Sequence, residues 1–156
     1  MVSGMRLRRK AREYALQLLF QFDLSRDAEG LFDGFWQEKI LPLQLIEFTD
    51  MLVKGAIVHL AMIDKIIISN AENWSLDRMA IVDRNILRLA IYELLYLDDI
   101  PSKVTINEAI EISKRFGAEE SGAFINGILD RIVQSDERLI NKAGGVKRIV
   151  GTGGGS

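Results

Sequence analysis

The fold of this chain is decided by residues 79–97, which read MAIVDRNILRLAIYELLYL. This stretch is strongly apolar and contains no glycine or proline that would interrupt a helix. It is followed by the sequence DDIP, in which Pro101 disfavours helical geometry at the residue before it. We therefore predict a helix that ends shortly before Pro101 and is buried inside the protein.

Apolar residues recur at helical spacing on both sides of this stretch. Before it, they predict a helix over residues 7–22, a short helix over residues 31–41 and a long helix over residues 43–71. After it, they predict helices over residues 105–116 and 119–134. The inward face of the last helix is expected to consist of Ile125, Ile128, Leu129 and Ile132. With two prolines and few alternating β-branched residues, the predicted fold class is all-α.

The helix over residues 105–116 has recognisable signals at both ends. Thr105 and Glu108 fit a T-x-x-E capping box, in which each side chain accepts a hydrogen bond from the other residue's backbone amide. Gly117 is expected to end the helix, because glycine tolerates the left-handed conformation of a C-terminal cap.

The chain is expected to form two helical halves that pack together, since its 156 residues suit one domain or two small halves with a shared core. Residues 1–74 are predicted to form an N-terminal helical bundle with a basic arm, and residues 75–138 a C-terminal helical bundle. Residues 139–156 have no apolar stripe and many glycines, which predicts a flexible tail.

Composition excludes several classes of function. The chain has no cysteine, which excludes disulfides, thiolate metal sites and cysteine nucleophiles, and which agrees with a cytoplasmic location. Its single histidine, His59, lacks the Glu-x-x-His pattern of di-metal bundles, because Ala56 stands three positions before it. We therefore expect no enzymatic activity, no metal and no cofactor. No apolar run reaches the roughly 18 residues of a membrane-spanning helix, so we expect no contact with a membrane.

A dense group of cations, RLRRKAR at residues 6–12, lies at the start of the first predicted helix, in a chain whose formal net charge is −2. Cations at a helix N-terminus oppose the helix dipole, at a cost of about 0.3–1 kcal/mol each. These positions also spread around the helix axis and cannot share one face. We therefore predict an extended arm that leads into the helix and reaches toward a polyanion, with nucleic acid, either RNA or DNA, as the favoured ligand.

Phe124 is a second candidate for nucleic-acid binding. It lies about 100° from Ile125 around the axis of the last helix, so it is off the inward stripe. Such a residue either packs against a neighbouring helix or offers a ring on which an unpaired base can stack.

These stretches resemble the NusB family of bacterial transcription antitermination factors. The resemblance rests on RRKAREYALQLLFQFDLS at the front, on VDRNILRLAIYELL, and on INEAIE followed by KRFG and FINGILD. It implies a fold of two three-helix bundles packed into one compact unit. It also implies a protein that binds the boxA element of ribosomal RNA leaders as a heterodimer with the ribosomal protein NusE. The pair would join an RNA polymerase antitermination complex and support ribosomal RNA synthesis and maturation.

The resemblance also implies functions for single residues. Phe20 and Phe124 match aromatic positions on the family's RNA face, and Asp83 matches an acidic position on the face that meets NusE. Glu120 stands where the family often has aspartate, a departure that keeps the negative charge but can alter the affinity for RNA. The family's RNA-binding arm corresponds to Arg6, Arg8, Arg9, Lys10 and Arg12.

Two other functions remain open from the sequence. Some ribosomal RNA cytosine methyltransferases begin with a NusB-like RNA-binding domain, although this chain has no cysteine nucleophile and no room for a cofactor-binding domain. A scaffold for ribosome assembly, which needs the partner protein alone, is the other alternative.

Overall fold

The computed structural model of the protein describes residues 4–72 and 75–143, and it is helical without strands in that part of the chain. This confirms the predicted all-α fold class. A short 3₁₀ turn at Leu76–Arg78 precedes the second half of the chain. The α-helices of the described residues are α1 Gly4–Ser25, α2 Leu43–Val58, α3 Leu60–Asn70, α4 Ile81–Tyr96, α5 Ser102–Phe116, α6 Ser121–Ser135 and α7 Glu137–Ala143.

Helix α4 lies at the centre of the fold, as the apolar stretch at residues 79–97 predicted. Every residue from Asn85 to Leu94 is buried, and α4 contacts each of the other α-helices of the described chain. A helix with no exposed face needs neighbours on every side. One continuous apolar core therefore contains residues from both halves of the chain.

Helices α1 and α4 run antiparallel and are joined by buried ion pairs near both ends. At one end, the Asp23 carboxylate of α1 accepts hydrogen bonds from Arg84 Nε at 2.7 Å, Asn85 Nδ2 at 3.0 Å and Arg88 Nη1 at 3.0 Å, all on α4. At the other end, Arg12 of α1 forms a buried pair with Glu93 of α4. These pairs fix the register of α1 on α4, because either pair would be left uncompensated by a shift along the axis.

The connection between α1 and α2 is not helical, so the predicted helix over residues 31–41 is wrong. The segment forms successive turns. Gly34 adopts a φ of +73°, outside the helical region. The neighbouring Phe35 and Trp36 contact Tyr14 of α1 edge-to-face, with ring centroids 5.8 and 5.6 Å apart. The apolar residues of this segment therefore pack as a folded loop.

The predicted long helix over residues 43–71 is two helices, α2 and α3, separated at His59. His59 has a φ of −102° and a ψ of 18°, which ends the regular helix. The break directs α2 toward α1 and α4, and α3 toward α4 and α6. Near it, Gly55 packs on the ring of Tyr92, which occupies the space that a Cβ atom would need.

Helix α5 begins three residues earlier than predicted, so the Thr105–Glu108 capping box is wrong. Pro101, with φ −59° and ψ 142°, stands at the helix start, and the Thr105 amide donates to its carbonyl at 3.2 Å. Thr105 is thus inside the helix, where its hydroxyl is buried without a hydrogen-bond partner among the described residues. Glu108 binds arginines of α1 instead.

Gly117 ends α5 as predicted, but for a different reason. Its φ of −98° is not left-handed. A Cβ atom at this position would lie 2.7 Å from the Ser121 hydroxyl oxygen and 2.9 Å from the Ser113 carbonyl oxygen. The hydroxyl of Ser121 in turn accepts a hydrogen bond from the Ala118 amide at 2.9 Å. The close approach of α6 therefore excludes a side chain here.

The C-terminal region is more ordered than the predicted tail, which began at residue 139. Helix α7 extends to Ala143 and buries Leu139 in the core. Lys142 donates hydrogen bonds to the carbonyls of Leu94 and Leu97, both at 3.0 Å. Residues 144–156 lie outside the described residues, as does the predicted boundary between the halves at residue 74. The division into two bundles stays a prediction.

We expect Asp23→Asn to destabilise the fold at neutral pH by about 3–5 kcal/mol, because it leaves the buried Arg88 and the half-buried Arg84 without their shared carboxylate. Burial acts to raise the pKa of Asp23, but hydrogen bonds from Arg84 and Asn85 and the charge of Arg88 outweigh it and hold that pKa below its ordinary value of 3.8. A lowered folded-state pKa stabilises the protein above the unfolded value and loses this contribution as the pH falls.

Urea denaturation at several pH values tests this expectation. The stability difference between wild type and Asp23→Asn should be largest at neutral pH and should shrink as the pH falls below about 4. A difference that stays constant down to pH 2 would show that the carboxylate's charge does not hold α1 on α4.

Candidate nucleic-acid interface

The cations at the front of the chain are part of helix α1, which begins at Gly4. The predicted extended arm is therefore wrong for residues 4–12. Because the helix turns about 100° per residue, it divides the five cations between two sides. Arg6, Arg9 and Lys10 lie within about 100° of one another on the outer ridge of α1, whereas Arg8 and Arg12 face toward α2 and α5.

Arg8 lies at the edge of a groove with a volume of about 560 Å³ between α1, the start of α2 and the start of α5. Its guanidinium stands 4.9 Å from the centre of the Phe48 ring and 3.8 Å from the Asp99 carboxylate. Both charged side chains of that pair are substantially exposed, so solvent screens the attraction and the pair holds Arg8 only weakly.

Arg12 is buried, with 5% of its surface exposed. It forms a two-pronged pair with Glu93 of α4, and its Nη1 atom lies 3.6 Å from Glu108 of α5. This guanidinium is enclosed by protein carboxylates and has no free face in this conformation. Its contacts tie α1 to α4 and α5.

Arg9, on the outer ridge, binds the Glu108 carboxylate that also lies near Arg12. Its Nε and Nη2 atoms donate to the two oxygens of Glu108 at 2.9 and 2.6 Å, while 42% of its side chain stays exposed. A bidentate pair of this kind fixes the plane of the guanidinium. Glu108 thus orients Arg9 at the surface and pairs with Arg12 underneath.

A second carboxylate, Glu13, lies beneath the next turn of the ridge. Lys10 Nζ is 3.6 Å from it, and Arg115 Nη1 of α5 donates to both of its oxygens at 3.1 Å. Glu13 is buried and its two cationic partners are exposed. Arg115 was not among the residues that the sequence singled out.

The two candidate aromatic residues are both partly buried. Phe20 lies about 40° from Arg6 around the α1 axis, on the same ridge as the exposed cations and about 21 Å further along it. Phe124 lies in the first turn of α6, where it packs against the apolar core. Both residues keep part of their surface exposed, as a stacking platform requires.

Asp83, the predicted partner-binding residue, is buried in the first turn of α4. One carboxylate oxygen, Oδ1, has no hydrogen-bond partner among the described residues. Burial raises the pKa of Asp83; a hydrogen bond from Ser121 opposes this rise, and the nearby charge of Glu120 adds to it. The site is therefore a carboxylate with one unused acceptor.

Sequence reasoning missed the carboxylates that organise the interface: Glu13, Glu93 and Glu108. A signal was present for Glu93, because a charged residue inside a continuous apolar helix needs a buried partner. No comparable signal existed for Glu13 or Glu108, which are spaced as on a solvated helix face. Their partners lie 102 and 99 residues away in the sequence.

Within residues 4–72 and 75–143, no group of three or more His, Asp or Glu side chains is arranged to hold a metal ion. Over the same residues, no helix has the length and apolar character that would let it cross a bilayer. Fold and site together define an all-helical protein whose candidate functional site is a charged helix surface.

Comparison with known proteins agrees with this class. The model of the NusB family matches residues 9–134. The transcription antitermination protein NusB of Desulfitobacterium hafniense is 51% identical over 131 residues, which is 82% of this chain and 88% of that protein. NusB of Pelotomaculum thermopropionicum is 47% identical over 135 residues, 83% of this chain and 91% of that protein. The chain belongs to the NusB family.

Solved structures support the same assignment. T. maritima NusB superposes with a TM-score of 0.75 at 43% identity, covering 86% of this chain and 94% of that one. A crystal structure of the antitermination factors NusB and NusE in complex with dsRNA gives a TM-score of 0.76 at 33% identity, covering 84% and 98%. Both of the relatives described above are named as transcription antitermination proteins, in agreement with the non-enzymatic function expected from the sequence.

We expect Arg12→Ala to destabilise the protein by about 3–5 kcal/mol, since it leaves the buried Glu93 carboxylate unpaired. Arg8→Ala is the matched control, because it removes the same type of side chain from an exposed position and should cost within about 0.5 kcal/mol. Chemical denaturation of the two variants measures the difference. Equal stability losses would contradict the structural role of Arg12.

Proposed function

We propose that this chain is an RNA-binding transcription antitermination factor that binds boxA RNA together with the ribosomal protein NusE. In this role it joins an RNA polymerase antitermination complex and supports ribosomal RNA transcription and maturation. The observation that carries the proposal is the outer ridge of α1, where exposed cations and Phe20 lie along one face of a single helix. A basic track followed by an aromatic ring is the arrangement that binds single-stranded nucleic acid.

The cations at the front of α1 have two different roles in the proposed RNA binding. Arg6, Arg8, Arg9 and Lys10 contact phosphates, because each has a side chain that reaches solvent. Arg12 acts as a positioning residue: it holds α1 against α4 and α5, so the other cations keep their places. Neutralising phosphates releases counterions, which gives the interaction a strong dependence on salt.

Phe20 and Phe124 would stack on unpaired bases of boxA. Recognition of RNA sequence usually targets unstacked bases, which aromatic side chains can hold by their faces. Glu120 lies one helical turn before Phe124 in the chain, and the Phe124 amide donates to its carbonyl at 3.2 Å. The Glu120 side chain is exposed, so the longer carboxylate can face the RNA beside that ring.

Asp83 would contact NusE through its unused carboxylate oxygen. A buried acceptor without a partner is costly in the free protein, and a cationic donor from NusE would remove that cost. The related NusB that was crystallised with NusE and dsRNA gives the family precedent for a partner on this fold.

The methyltransferase alternative finds less support. The relatives matched above carry the antitermination name, and this chain spans 88–91% of their lengths. We place the protein in the cytoplasm, where transcription and ribosomal RNA maturation take place in bacteria and where a chain without cysteine needs no oxidising environment.

Replacing Arg6 and Arg8 together by alanine should flatten the slope of log affinity against log salt by up to about 1.4, since each contact with single-stranded RNA contributes about 0.7. Fluorescence anisotropy with a boxA oligonucleotide measures the slope. The control is Lys65→Ala with Arg78→Ala, two exposed cations on other elements, which changes the net charge equally. Equal flattening in both variants would mean that RNA responds to overall charge and not to α1.

Phe124→Ala should leave the salt slope nearly unchanged and weaken binding of the same oligonucleotide by roughly 1–3 kcal/mol, the contribution of one stacked base. Thermal melting of the variant must accompany the titration, because Phe124 also packs on the core. A folded variant with wild-type affinity would remove Phe124 from the RNA face.

Asp83→Asn should have opposite effects on stability and on NusE binding. The raised pKa of Asp83 means that burial disfavours its charged form, so removing the charge should stabilise the free protein at neutral pH. Binding of NusE should weaken, by about 2–5 kcal/mol if the carboxylate meets a buried cation there. Calorimetry that finds unchanged affinity for NusE would place Asp83 outside the interface.

A further inference from the structure

Arg115 supplies a cation to the RNA-binding ridge from a different helix. It belongs to the last turn of α5, yet its Nη1 atom donates to both oxygens of Glu13 on α1 at 3.1 Å. Its guanidinium also lies 5.2 Å from the ring centre of Phe116, which supports the group from the α5 side. These two contacts place the guanidinium beside α1, while 61% of the side chain stays exposed.

The solvent-exposed charges around Glu13 are positive. The Glu13 side chain is only 8% exposed, whereas Lys10 and Arg115 on either side are 46% and 61% exposed. One buried negative charge thus holds two exposed positive charges. Within the described residues, the Nε and Nη2 atoms of Arg115 have no protein acceptor assigned to them, so these donors remain available to a phosphate.

Arg115 also lies beside a part of the α1 ridge in which α1 itself has no cation. Helix α1 carries no lysine or arginine after Arg12 until it ends at Ser25, and Arg12 is buried. Lys10 and Phe20 are about 15 Å apart along the axis. An RNA strand that runs from the cations to Phe20 crosses this interval, and Glu13, with Arg115 bound to it, lies within it.

We propose that Arg115 is a phosphate-binding residue for single-stranded RNA, held on the α1 ridge by Glu13. The inference rests on the proposed RNA-binding function and adds Arg115 and helix α5 to the RNA-binding surface. Helix α5 then contributes to the RNA surface directly, and Glu13 acts as the positioning residue for both Lys10 and Arg115. An arginine suits this place because its fork can bind Glu13 with one nitrogen and a phosphate with the others.

The decisive variant is Arg115→Gln, which keeps an amide donor for Glu13 and removes the charge. Its slope of log affinity against log salt with a single-stranded boxA oligonucleotide should be about 0.7 less steep than that of the wild type. Raising the salt fourfold should therefore weaken its binding about 2.6-fold less than it weakens wild-type binding. Arg115→Lys, which restores the charge, should recover the wild-type slope.

Arg138→Gln is the matched control. Arg138 is an exposed arginine, 58% accessible, that pairs with Asp136 at 2.8 Å beside α3 and α6. Its replacement makes the same change in net charge and should leave the slope unchanged. Thermal melting of each variant shows whether the fold is retained, and a slope measured on folded protein does not report on stability.

The outcomes separate this inference from the function on which it rests. If the wild type binds boxA RNA with a salt-dependent affinity and Arg115→Gln has the same slope, the inference is wrong and the proposed function stands. If Arg115→Gln and Arg138→Gln flatten the slope equally, Arg115 acts only through net charge and the inference is also wrong. If the wild type shows no binding, both are wrong.

Discussion

The buried carboxylate of Asp23 is the constraint on which the rest of the structure depends. Its side chain lies near the end of α1, is completely enclosed, and accepts hydrogen bonds from Arg84, Asn85 and Arg88, which share one face of α4. Arg88 extends the network to Asp64 of α3, with distances of 2.8 and 3.0 Å. Burying these charges costs several kcal/mol per ion before their attraction is counted. What the network provides is one register in which α1, α3 and α4 all satisfy their charges.

That register determines what the front of α1 can do. Asp23 fixes the C-terminal end of α1 on α4, and Arg12 pairs with Glu93 near the N-terminal end of α1. The cations that precede Arg12 in α1 therefore occupy defined positions. Arg12 serves the fold, Arg9 is shared between the fold and the surface, and Lys10 remains at the surface. The buried glutamates beneath the ridge act as fixed counterions. They hold arginines at the surface without exposing negative charge to an approaching phosphate, so the cationic surface is preorganised.

The same fold also carries a polar group that it does not satisfy. Asp83 begins α4 with one carboxylate oxygen unpaired, close to the turn where Gly117 and Ser121 bring α5 and α6 together. A buried acceptor without a donor lowers stability. The proposed contact of Asp83 with NusE would give this oxygen a donor and remove the cost.

The sequence by itself determined the elements that depend on local pattern. The apolar stretch at residues 79–97 specified a buried helix, helical spacing specified α1 and α6, and the cation density at residues 6–12 marked the candidate surface. It failed where packing overrides local preference. Apolar residues at 31–41 fold as turns against Tyr14, and Pro101 starts α5 before the apparent capping box at Thr105.

Only the tertiary structure decided which charges are free. Arg12 is indistinguishable from its neighbours in the sequence, yet its partner Glu93 lies 81 residues away and removes it from the surface. Arg115 looks like an ordinary cation in the last turn of a helix, yet Glu13, 102 residues away, places it on the α1 ridge. Local sequence sets helix formation because the backbone hydrogen bonds of a helix join residues four apart. The pairing of a charge is set by whichever residue the packed helices bring within a few ångströms, and no local pattern records that distance.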